Sequence, residues 1–515
     1  MAAAVNRVPF EIWLQIADLM GPAYSGRLYG VNRAWFEIAM NARYRVLDAT
    51  VLKERVLSRL PLLREPGIAK RVQILSISGR ALQGSLINTI IGHKVGFPMD
   101  RETLSIFNHR IQALNVAGVL SPQVQLLGEI AATLSPTEYS IKWDFHEGTP
   151  SGELIHASLQ AAILEVAWRA FGSGLKKLNV SVRPERFHAV LSSDVRLESL
   201  KELHLKFLNT SSGAESTATF PESDRVSSFF TRLNPHLATL TIHFKVDYDL
   251  SSLFHCLPLL IHLRRLSLHI FLSRASGVHA GLESFLAHSS LKLRHLTVVL
   301  HHADILSAEP DLPSLAMARA HIPALETLDI NFGLPQPALA TTLLRELHDV
   351  FNGARETLHT LRLEGIALSY ADLAALTSVF ADRNSGDALQ SLTISVHTLT
   401  ANCIDTLARN APHIRALGII FLYFNPPDGP PTYTPMTPAS LFKRELGERA
   451  YPEWKLRDIS IWHRKRHVDT SRWDLVEPFP ACVPSITVFF GEPVPQRTVS
   501  ESDVVPRMLA ALQGN

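Results

Sequence analysis

One six-residue pattern recurs along this chain and constrains its fold more than any other feature. An aliphatic residue is followed by two others, an aliphatic, one other, and an aliphatic. It appears as LKKLNV at Leu175, LKELHL at Leu200, LATLTI at Leu237, LRRLSL at Leu263 and LRHLTV at Leu293. It continues as LETLDI at Leu325, LHTLRL at Leu358, LQSLTI at Leu389 and IRALGI at Ile414. Looser copies begin at Val72, Ile111, Leu456 and Val483, which brings the count to thirteen. A further damaged copy, with period-two alternation, spans Tyr139 to Phe145.

Alternation marks a strand with one buried face. Between the strands lie helix-period segments. Ile155, Leu159, Ile163 and Val166 share one face, and so do Leu339, Leu343, Leu347 and Val350, with Gly353 placed to end the helix. Ser369 and Asp372 have capping-box spacing ahead of Leu373, Leu376 and Phe380. A strand and a helix repeated in this way predict an α/β leucine-rich-repeat solenoid. Its parallel sheet would form a curved, concave face, with helices or irregular segments on the convex face. No single unit can bury its own leucines, so the core exists only through stacking.

In such a solenoid the residues between and just after the last two aliphatics point away from the core. One row is His204, Thr241, Ser267, Thr297, Asp329, Arg362 and Thr393. The next is Lys206, His243, His269, Val299, Asn331, Glu364 and Ser395. We read this mixed polar face as the substrate-recognition surface, with Lys206, His243, His269, Asp329, Asn331, Arg362 and Glu364 as its candidate contacts.

Residues 8–47 break the repeat. Pro9 stands at a helix start, and Ile12, Ile16 and Leu19 share a face. Gly21-Pro22 ends that segment, and a second helical stretch includes residues 31–40. Such short helices bury too little to stand alone and need a partner, or serve as a cap on the solenoid's first edge.

Val8-Pro-Phe-Glu-Ile12 and Val31-Asn-Arg-Ala-Trp35 resemble the two ends of the F-box motif, in forms common among fungal F-box proteins, as is Arg43-Tyr-Arg45. The sequence departs from that motif at Val8, where the family has Leu, and at Asn32, where it has Cys. The resemblance implies a helical unit, residues 1–48, that docks a Skp-type adaptor and through it a cullin–RING ubiquitin ligase. It assigns Pro9, Ile12, Trp13, Ile16, Val31 and Trp35 to the adaptor contact. The solenoid, residues 49–495, would then select an unknown protein substrate, and residues 496–515 form a tail. The alternative is a repeat scaffold or regulatory protein with no ligase role.

Other classes find little support. Fifty basic and 48 acidic residues give a net charge of +2, which offers no footprint for nucleic acid. The first fifteen residues do not read as a secretory signal, and no apolar run reaches the ~18 residues of a membrane span. Three widely spaced cysteines fit a reducing, intracellular setting, cytoplasm or nucleus. No Walker A, G-x-G-x-x-G, G-x-S-x-G or H-E-x-x-H motif occurs, so the chain reads as a receptor without catalysis or cofactor. The 23 histidines invite a metal, but His463 and His467 have no cysteine pair nearby, and His301 and His302 alternate along a strand. Sequence spacing therefore gives no metal site. A segment with six prolines, 425–438, cannot be helix or central strand and reads as a projecting loop.

Overall fold

A computed structural model describes residues 8–20, 27–49, 62–78, 134–142, 168, 172–184, 187, 197–208, 224–244, 250–272, 280–302, 322–332, 337–381, 389–423, 438–464 and 475–493, leaving out 64, 135, 234 and 491. The Ile111 copy, the helix-period run at 155–166, the segment 425–437, His467 and the tail 496–515 lie outside these residues. The chain divides into two compact units, Met1–Ala320 and His321–Asn515.

The first unit opens with two helices, α1 (Phe10–Met20) and α2 (Arg33–Tyr44), followed at once by strand β1 (Val46–Ala49). The one-turn α3 (Pro66–Ala69) precedes β2 (Ile74–Ser78), and β3 (Glu138–Lys142), β4 (Lys177–Val182) and β5 (Glu202–Phe207) follow. Then come α4 (Asp224–Leu233), β6 (Thr239–Phe244), α5 (Ser251–Cys256), β7 (Arg265–Leu272), α6 (Ala280–Ser289) and β8 (His295–His302). Each strand pairs in parallel with the next in sequence.

The second unit runs β9 (Thr327–Phe332), α7 (Pro337–Gly353), β10 (Thr360–Leu368), α8 (Tyr370–Ser378), β11 (Ser391–Thr398) and α9 (Ala401–Asn410). It continues with β12 (Ala416–Tyr423), α10 (Pro438–Gly447), β13 (Asp458–His463), α11 (Phe479–Cys482), β14 (Val488–Phe489) and β15 (Glu492–Pro493). Its pairs are parallel up to β14. The last pair, β14 with β15, is antiparallel, and the chain reverses at Phe490, whose φ is 54°. This is the leucine-rich-repeat arrangement that the pattern predicts.

The cause of the register is visible in both units. Burial alternates along β4, β5, β6 and β9, every second residue facing the core. In the first unit Leu178, Leu203, Leu240, Leu266 and Leu296 form one buried row, and Val180, Leu205, Ile242, Leu268 and Val298 the next. A third row holds Phe207 and Phe244, whose rings stack at 4.4 Å. The backbone repeats too. The carbonyl of Lys176 accepts the N–H groups of Lys201 and Glu202, and that of Lys201 accepts those of Ala238 and Thr239. In the second unit Glu326, His359, Gln390, Arg415 and Arg457 play the same part.

The geometry corrects the sequence reading in several places. One reading needs no change: the damaged copy is strand β3, with Tyr139 in register between Leu75 and Leu178 and wholly buried, and residues 143–145 lie outside the described residues. The copy placed at Val483 is displaced by three residues, because Phe489 pairs with Ile459 and Ile486 therefore matches Leu456. Val483 is buried as well, and apolar residues three apart left that frame ambiguous. The sheet also begins earlier than residue 49. Leu47 pairs with Leu75, and Tyr44, the last residue of α2, is buried where later repeats place their first leucine. The helical motif thus runs into the first repeat without a linker.

Strand β10 carries a bulge. Leu363 pairs with Ile394 and Leu368 with Val396, so five steps of one strand oppose two of the other. Gly365 sits at this bulge with a φ of 77°. A Cβ there would lie 1.7 Å from the Phe332 carbonyl oxygen. The Gly365 N–H donates to Ser395 Oγ at 3.1 Å. Behind the sheet, Ser369 and Asp372 form the predicted capping box on α8. The buried Asp372 carboxylate also accepts the Thr341 hydroxyl from α7 at 2.9 Å.

Two substitutions separate packing from backbone geometry. Leu361→Ala, at a fully buried row position, should cost about 2–5 kcal/mol in thermal or urea unfolding. Gly365→Ala removes no apolar contact, yet should exceed the about 1–3 kcal/mol of left-handed backbone strain, because the added methyl meets backbone rather than a flexible side chain. A Gly365→Ala melt equal to wild type would show that the bulge can relax.

Candidate functional site

Two surfaces answer to the sequence reading. The first is the N-terminal helix pair. The Pro9 carbonyl accepts the N–H groups of Ile12 and Trp13, which starts α1. Asn32 caps α2, its Oδ1 accepting the Trp35 N–H at 2.9 Å. Trp13 and Trp35 meet at 5.8 Å between ring centroids. Ala17, Trp35 and Ile38 form a buried cluster, against which Trp13, Ile16 and Leu28 pack. This small core turns the other apolar residues outward.

Of the six positions assigned to an adaptor, Pro9, Ile12 and Val31 are exposed, and Trp13 and Ile16 are half-buried. Trp35 is 3% exposed. It holds α1 against α2 and offers no surface to a partner, a correction to its assignment as a contact. Leu19, at 88% exposure, shares a flank of α1 with Ile12; Phe10 and Leu14 are exposed on the other flank, and Phe36 is exposed on α2. Exposed apolar residues such as the Ile12 and Leu19 pair are surface that a partner can cover. The pair is anchored from behind. Arg71, just after α3, reaches Glu37 of α2 at 2.6 Å and Asn41 Oδ1 at 2.6 Å.

The second surface is the sheet face opposite the leucines, described unit by unit. In the first unit, His204, Thr241, Ser267 and Thr297 fall in one cross-strand row. Lys206, His243, His269 and Val299 fall in the next. All eight are half-exposed. His301 lies two residues beyond Val299, and its ring approaches those of His243 and His269. The His243 and His269 rings stack at 4.7 Å. Burial, and then the neighbouring His301, hold the His269 imidazole below its usual pKa.

In the second unit, Asp329, Arg362 and Thr393 are in register, as are Asn331 and Glu364. The Arg362 guanidinium lies 3.8 Å from Asp329 Oδ2 and 3.4 Å from Glu364 Oε1. Asn331 Nδ2 donates to Glu364 Oε2 at 3.3 Å. Burial raises the pKa of both carboxyls, against the pull of Arg362. Ser395 leaves the row. It is buried, because the bulge at Gly365 shifts β10 against β11 and engages the Ser395 hydroxyl.

Sequence reasoning overlooked the far end of this face. In β12 and β13 the corresponding positions are Gly418 and Ile420, then Ser460 and Trp462. Trp462 stacks edge-on with Phe490 at 5.8 Å. A Cβ at Gly418 would lie 3.2 Å from the Trp462 ring and 2.9 Å from Thr393 Oγ1. The face thus changes from charged to aromatic along the second unit. The signal was present in the sequence as Trp462, at an outward position just past the strand's inward aliphatics.

Among the described residues, no helix is long and apolar enough to cross a membrane. No protein-family model matches the chain. No curated protein matches it. Among solved structures it is similar to the leucine-rich-repeat-containing protein LegL7 from Legionella pneumophila, with 15% identity and a TM-score of 0.33, over 74% of this chain and 92% of that one.

The Arg362 cluster makes a pH-dependent prediction. Asp329 and Glu364 titrate above their unfolded values. Their contribution to stability is therefore present at low pH and lost as pH rises through the folded pKa values. Arg362→Ala leaves the two carboxylates facing each other without a cation. It should destabilise by about 1 kcal/mol or less at pH 7, since Arg362 is half-exposed. The loss should shrink toward pH 4 as the carboxyls take up protons. A loss that grows toward pH 4 in paired melts would contradict this reading of the cluster.

Proposed function

We propose that this chain is the substrate-recognition subunit of a Skp–cullin–F-box type ubiquitin ligase. In this reading α1 and α2 bind a Skp-type adaptor, the repeats bind a protein substrate, and the chain performs no chemistry itself. The observation that carries the reading is the outward apolar surface of the helix pair. Pro9, Ile12 and Val31, which the F-box resemblance assigns to the adaptor, are exposed. Trp13, Trp35 and Ile38 provide the inner packing that holds them out. A helix pair serving only as a cap would turn its apolar residues toward the repeats. The substrate face would combine the Arg362 cluster with the aromatic end at Trp462, since buried aromatic and arginine anchors dominate protein interfaces.

One observation favours the second reading, a repeat scaffold without a ligase link. Tyr44 and β1 build α2 into the first repeat, and Arg71 ties it down. A structural cap needs those contacts too.

Ile12→Asp separates the readings. Ile12 is 42% exposed, so the variant should melt like wild type. Adaptor affinity measured by calorimetry should fall more than about tenfold, because the charge would be buried unpaired in the complex. Trp35→Ala should instead lose helicity and cost about 3–5 kcal/mol through a cavity. A truncation lacking residues 1–44, which keeps β1, should lose the adaptor and still fold. Full adaptor binding by Ile12→Asp or by the truncated chain would refute the docking assignment. A wild-type chain that binds no Skp-type adaptor would leave the scaffold reading standing.

A further inference from the structure

Three histidines from three successive repeats converge on the half-exposed face of the first unit. His243 of β6 and His269 of β7 are paired in register, and His301 of β8 lies two residues past the partner of His269. One ring nitrogen from each lies within 4.8 Å of the other two. We propose that His243, His269 and His301 form a binding site for a borderline divalent metal ion of the zinc class, with a fourth position open to the outside of the sheet.

The chemistry of the donor set selects the ion. Three imidazole nitrogens without a carboxylate suit zinc, copper or nickel, and do not suit calcium or magnesium, which require oxygen ligands. Zinc–imidazole bonds of about 2.0–2.1 Å in a tetrahedral site require nitrogens roughly 3.3 Å apart. The three are already within 4.8 Å. Half-exposed rings can close the rest by rotating about their side-chain bonds, with no movement of the strands.

The neighbours are consistent with a ligand role. Thr241, Ser267 and Thr297 fill the row on one side. They leave the outward direction to solvent or to a donor atom of a bound partner. Three protein ligands with one open position are the arrangement of sites that exchange their fourth ligand, not of closed structural sites.

The three ligands are 26 and 32 residues apart along the chain (243 to 269, 269 to 301), so no local motif marks them. Only the stacking of repeats brings them together. The site goes beyond the ligase reading and does not depend on it.

The test uses the full chain, stripped with chelator and titrated with zinc against a chromophoric competitor. One equivalent should bind per chain, and zinc should raise the melting temperature. His243→Ala, His269→Ala and His301→Ala should each weaken binding by more than the roughly 10–100-fold that loss of a mere orienting partner costs. Each should also lose the zinc-dependent rise in melting temperature. His295→Ala, a histidine of β8 outside the trio, should change neither. Cobalt in place of zinc should give the visible absorption of a tetrahedral site, absent in His269→Ala. His301→Gln keeps the side chain's bulk and serves where an alanine variant folds poorly. A wild-type chain that binds no zinc overturns the proposal. So does zinc binding that persists at equal stoichiometry and affinity in the trio variants.

Discussion

The carbonyl group just before each strand holds the repeats in register. In the first unit the carbonyls of Arg45, Gln73, Thr137, Lys176, Lys201, Ala238 and Arg264 each accept two N–H groups from the following repeat. In the second unit Glu326, His359, Gln390, Arg415 and Arg457 do the same. A carbonyl oxygen has two lone pairs, and each of these carbonyls uses both. Once this point is fixed, every leucine row falls in line, since a slip of one residue would turn each leucine to the wrong face. The core rows and the opposite polar face are two results of one alignment.

That alignment explains what was legible in the sequence. Strand positions could be read because period-two alternation and the leading leucine agree in most copies. Tyr139 could be read even in a degraded copy, because alternation survives the loss of leucine. Val483 misled, since Val483, Ile486 and Val488 complete the pattern, whereas the frame the sheet uses, Ile486 and Phe489, ends on Gly491. Ser395 misled for another reason. Counting along β11 places it in the open row, but the bulge at Gly365 belongs to β10, and a strand's own sequence does not report a neighbour's irregularity. The three clustered histidines were out of reach by spacing, because their proximity belongs to the stack of repeats and to no single repeat. On α1, both sides are apolar enough to pass for a core face. Ile12 and Leu19 have helical spacing, yet Trp13, Ile16 and Ala17 make the contact with α2. The deciding factor was the size and flatness of two tryptophans, which periodicity does not weigh.

The helix pair and the repeats solve the same difficulty at different scales. Two short helices cannot bury enough surface to fold alone. They borrow stability by running straight into β1, by giving Tyr44 to the first leucine position, and by accepting Arg71 from behind. Because the inner side is occupied in this way, the outer apolar residues stay exposed without unfolding the pair.

A stack of equivalent units carries no internal instruction about length, since each new strand offers the same unfilled donors and acceptors as the one before. The hairpin of β14 and β15 supplies that instruction at the end of the second unit. The parallel series stops at a two-residue strand, the chain reverses at Phe490, and the outer strand runs the opposite way. It also contains Pro493, which has no N–H to give a further strand. Among the described residues the reversal therefore ends the parallel series, and the last strand of the sheet differs in direction and donor content from the strands before it.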